Sequence, residues 1–215
     1  MPFELSASSL GLFLECPRCF WLEKHKVWKR PTAGFPTLPS GMDRILKEHF
    51  DRFRDRGELP PELRNRECMR DCSLFRNISL LKEWRNVRKG ISWKDKEGNV
   101  LRGGIDNLLV KDEKLIVLDY KTRGFPVKEE SYAPYQHQLD IYTFLLNKNG
   151  YKTEDYAYIL FYVPKEVTET GEVIFDSELV RVKVDIGHAE KLFKDAVKLL
   201  NGPCPKETCE WCARV

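Results

Sequence analysis

A layered α/β domain, with helices covering a mixed sheet, follows from three features of the sequence. Apolar residues recur at helical spacing near the start, in the middle and near the end of the chain. Strand-like segments joined by short charged turns lie between these stretches. One helix-like segment separates two groups of strands, so the order reads β-β-β-α-β with flanking helices.

The elements follow in turn. Ser6 to about Lys26 reads as a helix: Ser6 or Ser8 can cap it, Leu10, Phe13, Leu14, Phe20 and Trp21 form its apolar stripe, and Pro17 predicts a break near Cys16. The stretch RPTAGFPTLPSG, 30 to 41, reads as a loop. A second helix is expected from Gly41 to about Arg56, with Met42, Ile45, Leu46, His49, Phe50 and Phe53 at helical spacing. Strands are expected over Glu83 to Trp93, Val100 to Val110 and Lys114 to Lys121, joined by KDKEGN and KDEK as an antiparallel meander. Ala133 to Asn147 has helical spacing; strands Tyr156 to Val163 and Val173 to Asp185 and a helix from His188 to Asn201 complete the chain.

At 215 residues, with 42% hydrophobic and 32% charged residues, the chain is expected to be a single domain. Its parts are a helical region of about 1–72, a core of about 73–186 and a C-terminal helix with a cysteine segment of about 187–215. No apolar run reaches the length of a spanning helix, and MPFELSASS lacks the basic start and apolar run of a signal peptide, so a cytoplasmic location is expected. The net charge of +3 does not argue for nucleic acid, but its distribution is uneven. KHKVWKR, 24 to 30, holds four Lys and Arg, and residues 44 to 88 hold ten Arg; such clusters can line a phosphate-binding groove or form a solvated face.

LDYKTRG, 118 to 124, ends the apolar run from Leu115 with Asp119 and Lys121 two positions apart, hence on one face of a strand. Asp106, in GGIDNLL, lies in the preceding strand, so a hairpin brings the two carboxylates together. Their repulsion is most simply relieved by a divalent cation such as Mg2+ or Mn2+. Lys121 can then position an attacking water and stabilise charge developing on a phosphate. The alternative for Asp119 and Lys121 is a plain ion pair.

Gly104-Ile105-Asp106, Asp119-Tyr120-Lys121 and Gln138-Leu139-Asp140-Ile141-Tyr142 together resemble the G-x-D, D-x-K and Q-x-x-x-Y series of the RecB-like branch of the PD-(D/E)XK nuclease superfamily. The resemblance covers roughly residues 6 to 212 and implies a restriction-endonuclease-like core. It implies that Asp106 and Asp119 bind the metal, that Tyr120 lends its backbone carbonyl and that Lys121 is catalytic. Gln138 and Tyr142, one turn apart, would contact the DNA backbone or orient Lys121; as alternatives, Gln138 is an ordinary polar position and Tyr142 a core aromatic. Such nucleases usually add a histidine ligand four residues after a glycine on an early helix. Here Ile45 stands four after Gly41, and His49, one turn further, is the candidate ligand or else a buried structural histidine; Glu48 or water are the substitutes.

Seven cysteines fall into three groups, and disulfides are disfavoured in a cytosolic chain. The CRISPR-associated and AddB-type relatives hold a four-iron, four-sulfur cluster with one cysteine before the nuclease motifs and three after. The resemblance thereby implies Cys16, Cys204, Cys209 and Cys212 as cluster ligands. Cys19 competes, and the two C-x-x-C pairs, Cys16 with Cys19 and Cys209 with Cys212, suit a tetrahedral zinc. A site without metal is the third alternative. Cys68 and Cys72, at helical spacing, are expected to be buried thiols.

The resulting expectation is a metal-dependent DNA nuclease, an exonuclease on single-stranded DNA or DNA ends in repair, recombination or CRISPR adaptation. Trp28 and Phe35 can stack on such a strand, or simply anchor their loop. The competing expectation is a nucleic-acid-binding or assembly subunit that keeps the fold without turnover.

Overall fold

A computed structural model describes residues 2–31, 37–86 and 89–215; Phe35 therefore lies outside the described residues. The chain opens with β1 (Glu4–Ser6) and a helix that breaks where Pro17 predicts, into α1 (Ala7–Glu15) and α2 (Pro17–Lys24). Ser6 and Ser9 cap α1 reciprocally, whereas Cys16 caps α2 and Pro17 takes its first position, where no backbone N–H is needed. The helix α3 (Thr37–Arg56) starts before the expected Gly41, and α4 (Pro61–Arg64) follows after a short turn.

The next segment departs from expectation. Glu83 to Trp93 is not one strand: after β2 (Ser73–Leu74), α5 (Ile78–Arg85) is capped by Asn77, whose side chain accepts from the Leu80 N–H at 3.0 Å. Leu81 and Trp84, three residues apart, are its buried positions, a helical rather than an alternating period. Among the described residues of this segment, only those of β3 (Ile91–Lys94) form a strand. Val100 to Val110 likewise divides, into β4 (Val100–Gly103) and β5 (Asn107–Lys111), and the two halves join different sheets. The expected meander is thus two hairpins.

The strand β6 (Lys114–Thr122) returns from β5 through Asp112 and Glu113, both with positive φ, the backbone of a tight two-residue hairpin turn. Next come α6 (Gln136–Lys148), β7 (Tyr156–Val167), β8 (Val173–Lys183) and α7 (Ile186–Leu200). The main sheet has the order β2-β5-β6-β7-β8, and a smaller one the order β1-β4-β3. Only β6 and β7 pair in parallel within the main sheet, which requires a crossover, and α6 supplies it.

The sheet separates two apolar clusters. On one face Leu115 and Val117 of β6 pack with Leu139 and Phe144 of α6 and Phe193 of α7. On the other, Ile116, Leu118 and Tyr120 meet Leu46 and Phe50 of α3. This alternation sends Asp119 and Lys121 toward α6, and the Tyr120 ring toward Phe50, 4.8 Å away between centroids. Among the described residues no helix is long and apolar enough to cross a membrane.

Candidate active site and cysteine centre

The β5–β6 hairpin pairs Asn107 with Leu118, so its next step along the chain sets Asp106 beside Asp119. Asp119 is 1% exposed, its Oδ2 meets the Lys121 ammonium, and Gln138 Nε2 donates to its Oδ1 at 3.4 Å. Burial pushes the Asp119 carboxyl up to about 6; Lys121 opposes that rise and Asp106 adds to it. The Lys121 ammonium lies 4.8 Å over the Tyr135 ring. Burial works against its charge, but Asp119 and then Asp106 outweigh this and hold its pKa above the usual range.

The opposite wall is α3. Lys47 Nζ bridges Asp43 Oδ2 at 2.7 Å and Asp106 Oδ1 at 2.9 Å, and an open cleft between Pro39, Ser40, Asp43, Asp106, Lys121 and Tyr135 leads to the acids. Sequence reasoning missed Asp43 and Lys47, although their i, i+4 spacing puts them on one helical face.

His49 lies two residues beyond Lys47, about 200° further around the helix at the usual 3.6 residues per turn. It opens on a different cleft, where its Nε2 is 2.9 Å from Glu62 Oε1, the oxygen that also accepts from the Tyr162 hydroxyl at 2.7 Å. The structure therefore does not bring His49 to the acid pair. Among the described residues, no trio of His49, Asp106 and Asp119 places its ligand atoms within 4.8 Å of one another.

Gln138 and Tyr142 are together, the amide donating to the phenol oxygen at 2.8 Å. Tyr142 is only 6% exposed, and burial pushes its phenol pKa well up, so it is a core aromatic that anchors Gln138. Its ring passes against Gly103, where a Cβ would come within 2.7 Å of two ring carbons. Gly103→Ala is expected to destabilise the fold by about 1–3 kcal/mol, measurable as a lowered urea midpoint, because neither the ring nor the strand has room to move.

A buried polar network supports Asp106 from behind. Arg85 Nε donates to the Asp106 carbonyl at 2.7 Å while its guanidinium grips Asp51 at 2.7 and 3.0 Å. Arg54 donates to Asp51, to the Phe75 carbonyl and to Asn107 Oδ1, and Asn107 in turn donates to the Tyr120 hydroxyl. Isolated Arg and Asp positions in a charged sequence carry no signal for such a network.

The donor set fits a hard divalent cation. Two neighbouring carboxylates offer oxygen, and Asp119 Oδ2 is buried with no hydrogen bond in good geometry, although the Lys121 ammonium is against it.

In a separate cluster four cysteines converge. Cys16 and Cys19 stand at the first turn of α2, and Cys209 and Cys212 flank a turn at the C-terminal end. Their sulfurs all lie within 4.8 Å of one another, so the four could hold a metal or cluster. Burial pushes the Cys19 thiol up to about 12, while the Cys212 and Trp211 backbone N–H groups bring the Cys209 thiol down to about 6. Cys19 thus takes the place expected of Cys204, whose Sγ instead accepts from Arg18 at 3.4 Å. The repeated C-x-x-C spacing was the signal for Cys19. Cys68 departs from the expected buried thiol, being exposed, and Cys72 is half-buried. Trp28 packs against the cysteine cluster and lines a cleft with Trp211, over which Arg30 sits at 5.9 Å.

Fold and site together define a mixed α/β domain that presents an acid, acid, lysine set where its central hairpin opens. The sequence profile of the PD-(D/E)XK nuclease superfamily matches residues 4–214. The chain belongs to that superfamily, whose fold implies a metal-dependent nuclease and nucleic-acid binding. No curated protein matches the chain.

Proposed function

We propose that the chain is a RecB-like deoxyribonuclease that uses Mg2+ or Mn2+, acting as an exonuclease on single-stranded DNA or DNA ends in repair, recombination or CRISPR adaptation. The observation that carries the nuclease reading is the convergence of Asp106 and Lys121 on one cleft, with the buried Asp119 against both. Asp106, Asp119 and the Tyr120 carbonyl would hold the cation, which supplies electrostatic stabilisation of the phosphoryl oxygens and a water of lowered pKa. Lys121, kept protonated by the acids, places positive charge where the phosphate gains negative charge. Gln138 fixes the Asp119 carboxylate, and Tyr142 fixes Gln138. Water adds to phosphorus, the ester bond to the leaving oxygen breaks, and that oxygen leaves protonated. Lys47 holds Asp106 until cation and DNA arrive. His49 stands apart from this set and is assigned to its Glu62 pair.

The cleft lined by Trp28 and Trp211, with Arg30 over the Trp211 ring, supports the single-strand reading, since stacked bases need aromatic faces with nearby cations. The four cysteines are assigned a structural role, because hydrolysis of a phosphodiester moves no electrons between redox states.

The test is cleavage of end-labelled single-stranded, duplex and circular DNA with Mg2+, Mn2+ or chelator. Metal-dependent loss of linear single strands is expected, reduced at least about 100-fold in Asp106→Ala. Equal background in wild type and variant would make the chain a binding subunit, and cleavage of circles would remove the exonuclease reading.

A further inference from the structure

We infer that Cys16, Cys19, Cys209 and Cys212 form a mononuclear tetrathiolate zinc site, not the four-iron cluster that the family resemblance implies. Four thiolates around one zinc with bonds of about 2.3 Å form a tetrahedron with edges of about 3.8 Å. The sulfurs of Cys16 and Cys212 are 3.8 Å apart, those of Cys209 and Cys212 3.8 Å, and those of Cys19 and Cys209 3.4 Å. A four-iron cubane carries its thiolates outward from the corners of a cube and separates the sulfurs by about 6 Å. No pair in this set exceeds 4.8 Å, so the cluster does not fit between them.

The surroundings suit the smaller centre. Each C-x-x-C folds back on itself, the Cys19 N–H pointing to Cys16 Sγ at 3.5 Å and the Cys209 N–H to Cys212 Sγ at 3.3 Å. These donors disperse thiolate charge and fix the sulfurs on one side of each turn. Four thiolates and one Zn2+ leave two negative charges, and the Arg30 guanidinium lies 3.7 Å from Cys209 Sγ to offset part of them. Leu22 and Trp28 pack against the cysteines. Cys204 remains outside as a partner of Arg18. The centre pins the start of α2 to the C-terminal turn.

Elemental analysis and absorption spectra of the full chain, purified without oxygen, test this separately from any nuclease assay. About one zinc per chain, no iron and no visible absorption are expected, and Co2+ exchange should give the intense visible bands of tetrahedral thiolate coordination. Cys19→Ser should lose the metal and Cys204→Ser should keep it. If Cys19→Ser does not fold, the metal content of wild type and Cys204→Ser still decides. Iron in any stoichiometry, a metal-free protein, or metal lost from Cys204→Ser would overturn the assignment.

Discussion

Asp119→Asn is expected to abolish cleavage, by on the order of 10³-fold or more, while making the metal-free protein more stable at neutral pH. Both effects come from placing a carboxylate at 1% exposure. Its pKa is raised from the usual 3.8 to about 6, so the fold prefers the protonated group even with Lys121 alongside. That preference corresponds to about 3 kcal/mol. The sign follows from linkage: the unfolded carboxyl ionises near 3.8 and the folded one near 6, so the unfolded state binds fewer protons between those values. Wild-type stability therefore falls as pH rises through this window and stays lower above it. Asparagine cannot ionise and escapes the loss. In chelator, thermal unfolding of the two proteins should coincide below about pH 4 and diverge above about pH 6 in favour of the variant. Added Mg2+ should raise the melting temperature of wild type alone. A variant less stable than wild type at pH 7, or one that still responds to Mg2+, would show that Asp119 is not the buried ligand.

Asp51→Ala is expected to destabilise the protein by about 3–5 kcal/mol, because it leaves two guanidinium groups without their shared carboxylate. The Arg54 side chain is 2% exposed and that of Arg85 10%, so both guanidinium groups are poorly hydrated once the carboxylate is gone. The same residues hold the Asp106 carbonyl and the Asn107 side chain. Cleavage by the folded variant should drop with it, through weaker Mg2+ binding rather than weaker DNA binding. Urea titration together with Mg2+ titration of intrinsic fluorescence separates the two effects. Asp176→Ala is the control, since its pair with Lys165 is exposed and worth under about 1 kcal/mol.

Elements whose neighbours in sequence determine them were legible in the chain. Pro17 ended a helix because its ring forbids continuation, and Ser6 began one because its hydroxyl meets a free N–H. The hairpin through Asp112 and Glu113 set Asp106 beside Asp119, and strand alternation set Lys121 on the same face. What failed were segments whose pattern suits two states. Ile78 to Arg85 carries apolar residues compatible with strand or helix, and the Asn77 cap was too short a signal to decide. The break after Gly103 looked like the interior of one strand, because what divides it is the pairing of β4 and β5 into different sheets, which no local spacing records.

The sequence by itself determined the layered α/β class, the acid, acid, lysine order and the doubled C-x-x-C, because each depends on spacing within a few residues of chain. Only the tertiary structure decided which side chains share a site. It turned Asp43 and Lys47 toward the acids and His49 away, since the burial of Leu46 and Phe50 fixes the rotation of α3 against the sheet. It also chose Cys19 over Cys204, because the chain ends meet in space through packing that no local spacing records.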